Sequence, residues 1–98
     1  MDENSAVAQL DELRRNIDRI DLQLLALLNE RARVVEKIGA VKQQHTLPVY
    51  EPKREEAVFQ NVQAHNHGPL TADAVRRVFE RVIDEMRTLQ KRRMEKAC

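Results

Sequence analysis

Apolar residues recur along the first half of the chain with a seven-residue period. Leu10, Ile17, Leu24 and Ile38 form one line, and Leu13, Ile20, Leu27, Val34 and Val41 form a second. Lines offset by three or four residues share one face of an α-helix. The pattern therefore predicts a single amphipathic helix over about Ser5 to Gln44. The stretch has no proline, and its one glycine is Gly39. The first line has one exception, because Arg31 stands where the seam asks for an apolar residue. At 1.5 Å rise per residue such a helix is roughly 60 Å long, whereas a compact globule of this chain length has a radius of gyration of only about 13 Å. The rest of the chain cannot cover so long a seam. Pairing two such helices across a two-fold axis is the simplest way to bury it.

The second half reads as two shorter helices. Gln44 to Tyr50 is a connector, since Pro48 disfavours helix at the residue before it. Pro52 suits the first turn of a helix, where its missing N–H costs nothing. That helix is expected over about Pro52 to Ala64, with Val58, Phe59 and Val62 facing inward. Asn66-His67-Gly68-Pro69 is turn chemistry. Thr71 is placed to cap a third helix, with Asp73 in its first turn. Val75, Val78, Phe79, Val82, Ile83, Met86 and Leu89 make its apolar stripe. No alternating strand pattern occurs. The expectation is an all-α domain of three helices per chain in an intertwined homodimer. It is one domain over 1–98, with its core at about 8–92 and a basic, fraying tail at 93–98.

Composition narrows the function. The chain has 98 residues, 42% hydrophobic and 34% charged, with a formal net charge of +1. A near-neutral balance gives no case for nucleic-acid or membrane-surface binding, and no apolar run is long enough to span a membrane. The opening Met1-Asp2-Glu3-Asn4 has no secretory core. The single cysteine, Cys98, supports neither a disulfide framework nor a zinc site, and a cytoplasmic setting is expected. His45, His65 and His67 lack metal-ligand spacing. There is no phosphate loop and no nucleophile motif, so no metal and no cofactor are expected.

The informative residues are polar groups on apolar faces. At 100° per residue, Val35, Ile38 and Lys42 lie within about 40° of Arg31. Glu51 and Glu55 share a face with Phe59 and Val62, and Gln90 shares one with Phe79, Ile83 and Met86. A buried charge is costly unless paired. One explanation is an internal Arg31–Glu55 pair with Gln90 at a frayed end, in a non-catalytic helical dimerisation or regulatory module. The other is a site for an anionic ligand, with Arg31 and Lys42 meeting carboxylates. Arg14 adds a geometric argument, although it is followed by Arg15 and sits among charges expected to be exposed. It lies about 25 Å from Arg31 along the helix, too far for one small ligand to touch both within one chain. In an antiparallel dimer crossing near residues 22–23, Arg14 of one chain falls beside Arg31 of the other.

The stretches Leu13-Arg14-Arg15-Asn16-Ile17-Asp18-Arg19-Ile20-Asp21, Leu24 through Arg31, Val35 through Lys42 and Pro48 through Glu55 together resemble the all-helical AroQ-type chorismate mutases, over roughly Leu10 to Gln90. The resemblance implies an isomerase that rearranges chorismate to prephenate for aromatic amino-acid (Phe and Tyr) synthesis, with no cofactor. It implies an intertwined dimer with two sites, each taking Arg14 from the partner. Arg31 would bind a substrate carboxylate, and Lys42 a carboxylate and the ether oxygen. Arg54 would support carboxylate binding. Glu55 would accept a hydrogen bond from the ring hydroxyl, helped by the backbone near Glu51. Gln90 would donate to the ether oxygen, and Val35 would line the pocket. Two positions depart from the family pattern. Glu51 stands where a relative has aspartate, and Met86 stands where some members carry a small polar residue that contacts substrate. A lyase on the same fold that removes pyruvate from isochorismate is the alternative enzyme.

Overall fold

The computed structural model describes residues 2–96. Three helices follow one another, α1 (Glu3–Gln44), α2 (Pro52–Ala64) and α3 (Ala72–Lys96), and no strand occurs among the described residues. The chain divides into two compact units, with the boundary between Arg33 and Val34 inside α1.

The N-terminal unit is helix throughout from Glu3. It begins two residues before the expected Ser5 because Asp2 caps it. The Ser5 amide donates to Asp2 Oδ1 at 2.8 Å, and the Ala6 amide to the Asp2 carbonyl at 3.2 Å. A short acceptor at this position satisfies amides that have no helical partner. Polar neighbours a turn apart lace the outer surface, with Arg15 meeting Glu12 at 2.7 Å. The seam is open within this unit. Leu10, Leu13, Ile17, Ile20, Leu24 and Leu27 are all exposed, Leu27 to 62%.

The C-terminal unit contains the end of α1 with α2 and α3, and its core is Val35, Phe59, Val75 and Ile83. α1 stops in a C-cap. Thr46 takes a left-handed φ of 53°, its amide donates to the Gln43 carbonyl at 3.4 Å, and the Leu47 amide reaches back to the Lys42 carbonyl at 2.8 Å. This pair of bonds is the Schellman arrangement, which favours glycine at the left-handed residue. A β-branched threonine there is strained. Gln43 Nε2 then donates to the Met94 carbonyl at 2.9 Å, tying the end of α1 to the end of α3.

Pro52 occupies the first turn of α2 as expected. Thr71 caps α3, its Oγ1 accepting from the Ala74 amide at 3.1 Å. Gln63 Nε2 donates to the Ala72 carbonyl at 3.1 Å, so the end of α2 is held to the start of α3. Farther along, Arg76 pairs with Glu56 at 3.2 Å and lies 4.3 Å over the Phe59 ring. Bonding to Glu56 raises its already high pKa. One expectation needs adjusting. Val78 is 53% exposed rather than part of the buried stripe. α3 itself runs through Lys96. Cys98 lies outside the described residues.

Candidate active site

The last turn of α1 carries Lys42, and this lysine is buried. A buried ammonium needs all three of its hydrogens accepted. Nζ lies 2.8 Å from Gln90 Oε1, 3.0 Å from the Val49 carbonyl and 2.9 Å from Glu51 Oε2. α3, the connector and the start of α2 each supply one acceptor. The C-terminal turn of α1 also favours a cation there, since the helix dipole is negative at that end.

Gln90 is buried on α3 at 8% exposure. An ammonium has only donors, so it must face the amide oxygen, and this sets which way the amide points. The Nε2 end, a two-hydrogen donor, is the end left to meet a ligand. Gln90 is therefore held in place, not frayed. Gly39 makes its position possible. A Cβ on Gly39 would lie 3.3 Å from Gln90 Cγ and 3.6 Å from Met94 Cγ. The single glycine of α1 is thus the point where α3 comes close.

Glu51 precedes α2 and makes no side-chain cap bond there, because its carboxylate turns to Lys42. Its carbonyl accepts from the Glu55 amide at 3.0 Å. Glu55 is half-buried, and both its oxygens are taken by Arg87 of α3. Nη2 lies 2.7 Å from Oε1 and 2.6 Å from Oε2, and Nε lies 3.2 Å from Oε2. Bonding to Glu55 raises the Arg87 guanidinium above its ordinary value. The same guanidinium sits 5.3 Å from the centre of the Tyr50 ring and 3.4 Å from Asp84.

The structure therefore brings Lys42, Glu51 and Gln90 together and places Glu55 one turn from Glu51. Val35 is buried in the same unit, Met86 is half-buried, and Arg54 is exposed. Arg14 and Arg31 belong to the N-terminal unit. Arg31 is half-buried, and Arg14 is 68% exposed with Asp11 at 3.7 Å. Sequence reasoning missed Arg87 and Tyr50. The one available signal was a cation four residues beyond Ile83, on the flank of the apolar stripe. Among the described residues no group of three His, Cys, Asp or Glu side chains could hold a metal. No helix among them is long and apolar enough to cross a membrane.

The chorismate mutase of Methanocaldococcus jannaschii is 27% identical over 93 residues, covering 91% of each chain. The bifunctional chorismate mutase/prephenate dehydratase of Aquifex aeolicus is 35% identical over 88 residues, which is 86% of this chain. That match covers 24% of the Aquifex protein, so the chain spans about a quarter of the length of such bifunctional relatives. Among solved structures, chorismate mutase (form II) from Thermus thermophilus superposes with a TM-score of 0.84 at 34% identity, covering 86% of this chain and 96% of that one. Chorismate mutase from Helicobacter pylori, in complex with prephenate, superposes at 0.83 with 27% identity, covering 90% and 96%. Residues 13–91 match the family described as chorismate mutase type II, and with a match from Leu13 to Lys91 this chain belongs to that family.

Proposed function

We propose that this chain catalyses the rearrangement of chorismate to prephenate, in the cytoplasm and within aromatic amino-acid synthesis, as a homodimer with two equivalent sites. The observation that carries the reading is the buried Lys42–Gln90 pair, 2.8 Å apart, a cation and an oriented amide donor side by side. The reaction needs no nucleophile and no proton transfer. Its carbon–oxygen bond breaks ahead of carbon–carbon bond formation, so negative charge grows on the ether oxygen. Lys42 Nζ and Gln90 Nε2 meet that charge, and they meet it more strongly in the transition state than in the ground state. Gln90 is already held by its bond to Lys42, so the amide needs little reorganisation when the charge appears, while Lys42 exchanges its bond to Glu51 for substrate.

The other half of the barrier is conformational. Chorismate must fold into a compact chair-like form, and cations gripping its two carboxylates select that form. Arg31 and Arg54 serve this role together with Arg14 from the partner subunit. Val35 and Met86 line the pocket, and Glu55 accepts from the ring hydroxyl. Glu51 holds Lys42 in the free enzyme, and the incoming carboxylate competes with it for that ammonium. The exposed seam of α1 supports the dimer, because so long an apolar row is otherwise left in water.

The test is direct. Purified chain is mixed with chorismate, loss of chorismate absorbance is followed, and the product is identified. Prephenate is expected. No turnover would leave the reading without support, and pyruvate release from isochorismate in a parallel reaction would identify the lyase instead.

A further inference from the structure

We infer that Arg87 is a positioning residue that fixes the Glu55 carboxylate as a hydrogen-bond acceptor, and through it sets the preference for a substrate bearing a ring hydroxyl. The inference rests on the reading of Glu55 given above.

The geometry is a closed ring. Lys42 bonds to Gln90 of α3 and to Glu51 before α2. One turn on from Glu51 is Glu55, and one turn before Gln90 is Arg87. The Arg87–Glu55 contact closes the circuit, with a fork of three N–H···O distances of 2.6, 2.7 and 3.2 Å. A fork of this kind fixes the plane of a carboxylate, which a single bond does not. It also uses only one edge of the carboxylate. A carboxylate has about four lone-pair sites, so acceptor capacity remains for a hydroxyl. The Tyr50 ring, 5.3 Å from the guanidinium, helps hold the fork in place.

The charge argument points the same way. A free carboxylate beside a dianionic substrate is repulsive, and in a partly buried site the repulsion is poorly screened. The guanidinium, charged at any working pH, lies against that carboxylate and offsets its charge. Glu55 can then accept a hydrogen bond without driving the substrate away. A contact that only clipped α2 to α3 would have no influence on which substrate is preferred.

The experiment compares Arg87→Leu and Arg87→Lys with the parent chain. The substrates are chorismate and the otherwise identical compound lacking the ring hydroxyl, and thermal midpoints are recorded alongside. A hydroxyl contact present in both ground and transition states acts mainly through KM. Arg87→Leu is expected to raise KM for chorismate roughly tenfold, the loss typical of one hydrogen bond to a charged group, with kcat within about threefold. Its kcat/KM on the hydroxyl-free compound falls far less, so the preference for the hydroxyl shrinks. Arg87→Lys, which keeps the charge but loses the fork, falls between the two and serves alone if the leucine variant does not fold. In a Glu55→Gln background, Arg87→Leu costs little more. An equal loss on both compounds, or losses at 55 and 87 that simply multiply, would show a purely structural clip and overturn the inference. If the parent chain forms no prephenate at all, the reading of the reaction falls and this inference falls with it.

Discussion

The two ends of α1 solve opposite problems. Up to Arg33 the helix carries a long apolar seam that stays open to solvent, with its charges paired to neighbours one turn away. From Val34 onward it carries a buried cation whose three partners come from three other parts of the chain. The contrast is instructive. The first stretch is complete as a helix and incomplete as a surface, and a second copy of the same chain would complete it. The second stretch is complete as a local structure, its buried cation satisfied by acceptors within the same unit.

The sharpest way to break this comparison is at Lys42. Lys42→Ala is expected to lower kcat by about two to three orders of magnitude, the loss of roughly 3–4 kcal/mol typical of one transition-state donor. Helical circular dichroism should stay unchanged. Near-normal turnover would remove Lys42 from the chemistry. On the open stretch, if the proposed dimer forms, Ile20→Lys with Leu27→Lys is expected to leave only monomers by light scattering, and activity should vanish with it. A monomer that keeps full activity would show that each chain holds a whole site.

Gly39→Ala sets the two concerns against each other. Alanine gains about 1 kcal/mol of helix propensity, but its Cβ meets Gln90 Cγ at 3.3 Å. Lys42 holds that glutamine, so it cannot easily give way. The expected outcome is a rate about tenfold lower, since small displacements of a catalytic group are costly, with a thermal midpoint that does not drop. Steady-state kinetics beside a melting curve would check it. Thr46→Gly acts on stability alone. It relieves a left-handed threonine at φ 53°, and the gain, reduced by glycine's greater freedom when unfolded, should be about 0.5–1 kcal/mol in urea titration.

The smallest expected effect is that of pH. Gln90 does not ionise. The Arg87 pKa is raised in the folded chain, so its pairing contributes fully below the unfolded guanidinium value and is lost only as pH rises through the folded one, far above neutral. Activity should not require acid, and kcat/KM at pH 8 should stay within about twofold of its value at pH 6. A collapse over that interval would mean that an acid group carries the chemistry.

Much of this could be seen in the sequence, because the signals are local. Periodicity marked three helices, Pro52 and Thr71 marked two of their starts, and Arg31, Lys42, Glu55 and Gln90 stood out as polar residues on apolar faces. The start of α1 was less visible, since an N-terminal Asp2 looks like any other acidic residue until an amide is seen donating to it. Thr46 gave no hint of a left-handed cap, because that position ordinarily signals itself with glycine.

What the sequence by itself determined is the set of elements and the oddity of its buried charges, since helical period and burial cost depend only on residue type and spacing. Only the tertiary structure decided the pairings. Seventeen lysines and arginines face sixteen acids in this chain, and composition cannot choose among them. Packing of α2 on α3 gave Glu55 to Arg87, and the cap after α1 brought the Val49 carbonyl to Lys42. Those choices are made through space, by distances of a few ångströms between residues far apart in the chain, and no local pattern encodes them.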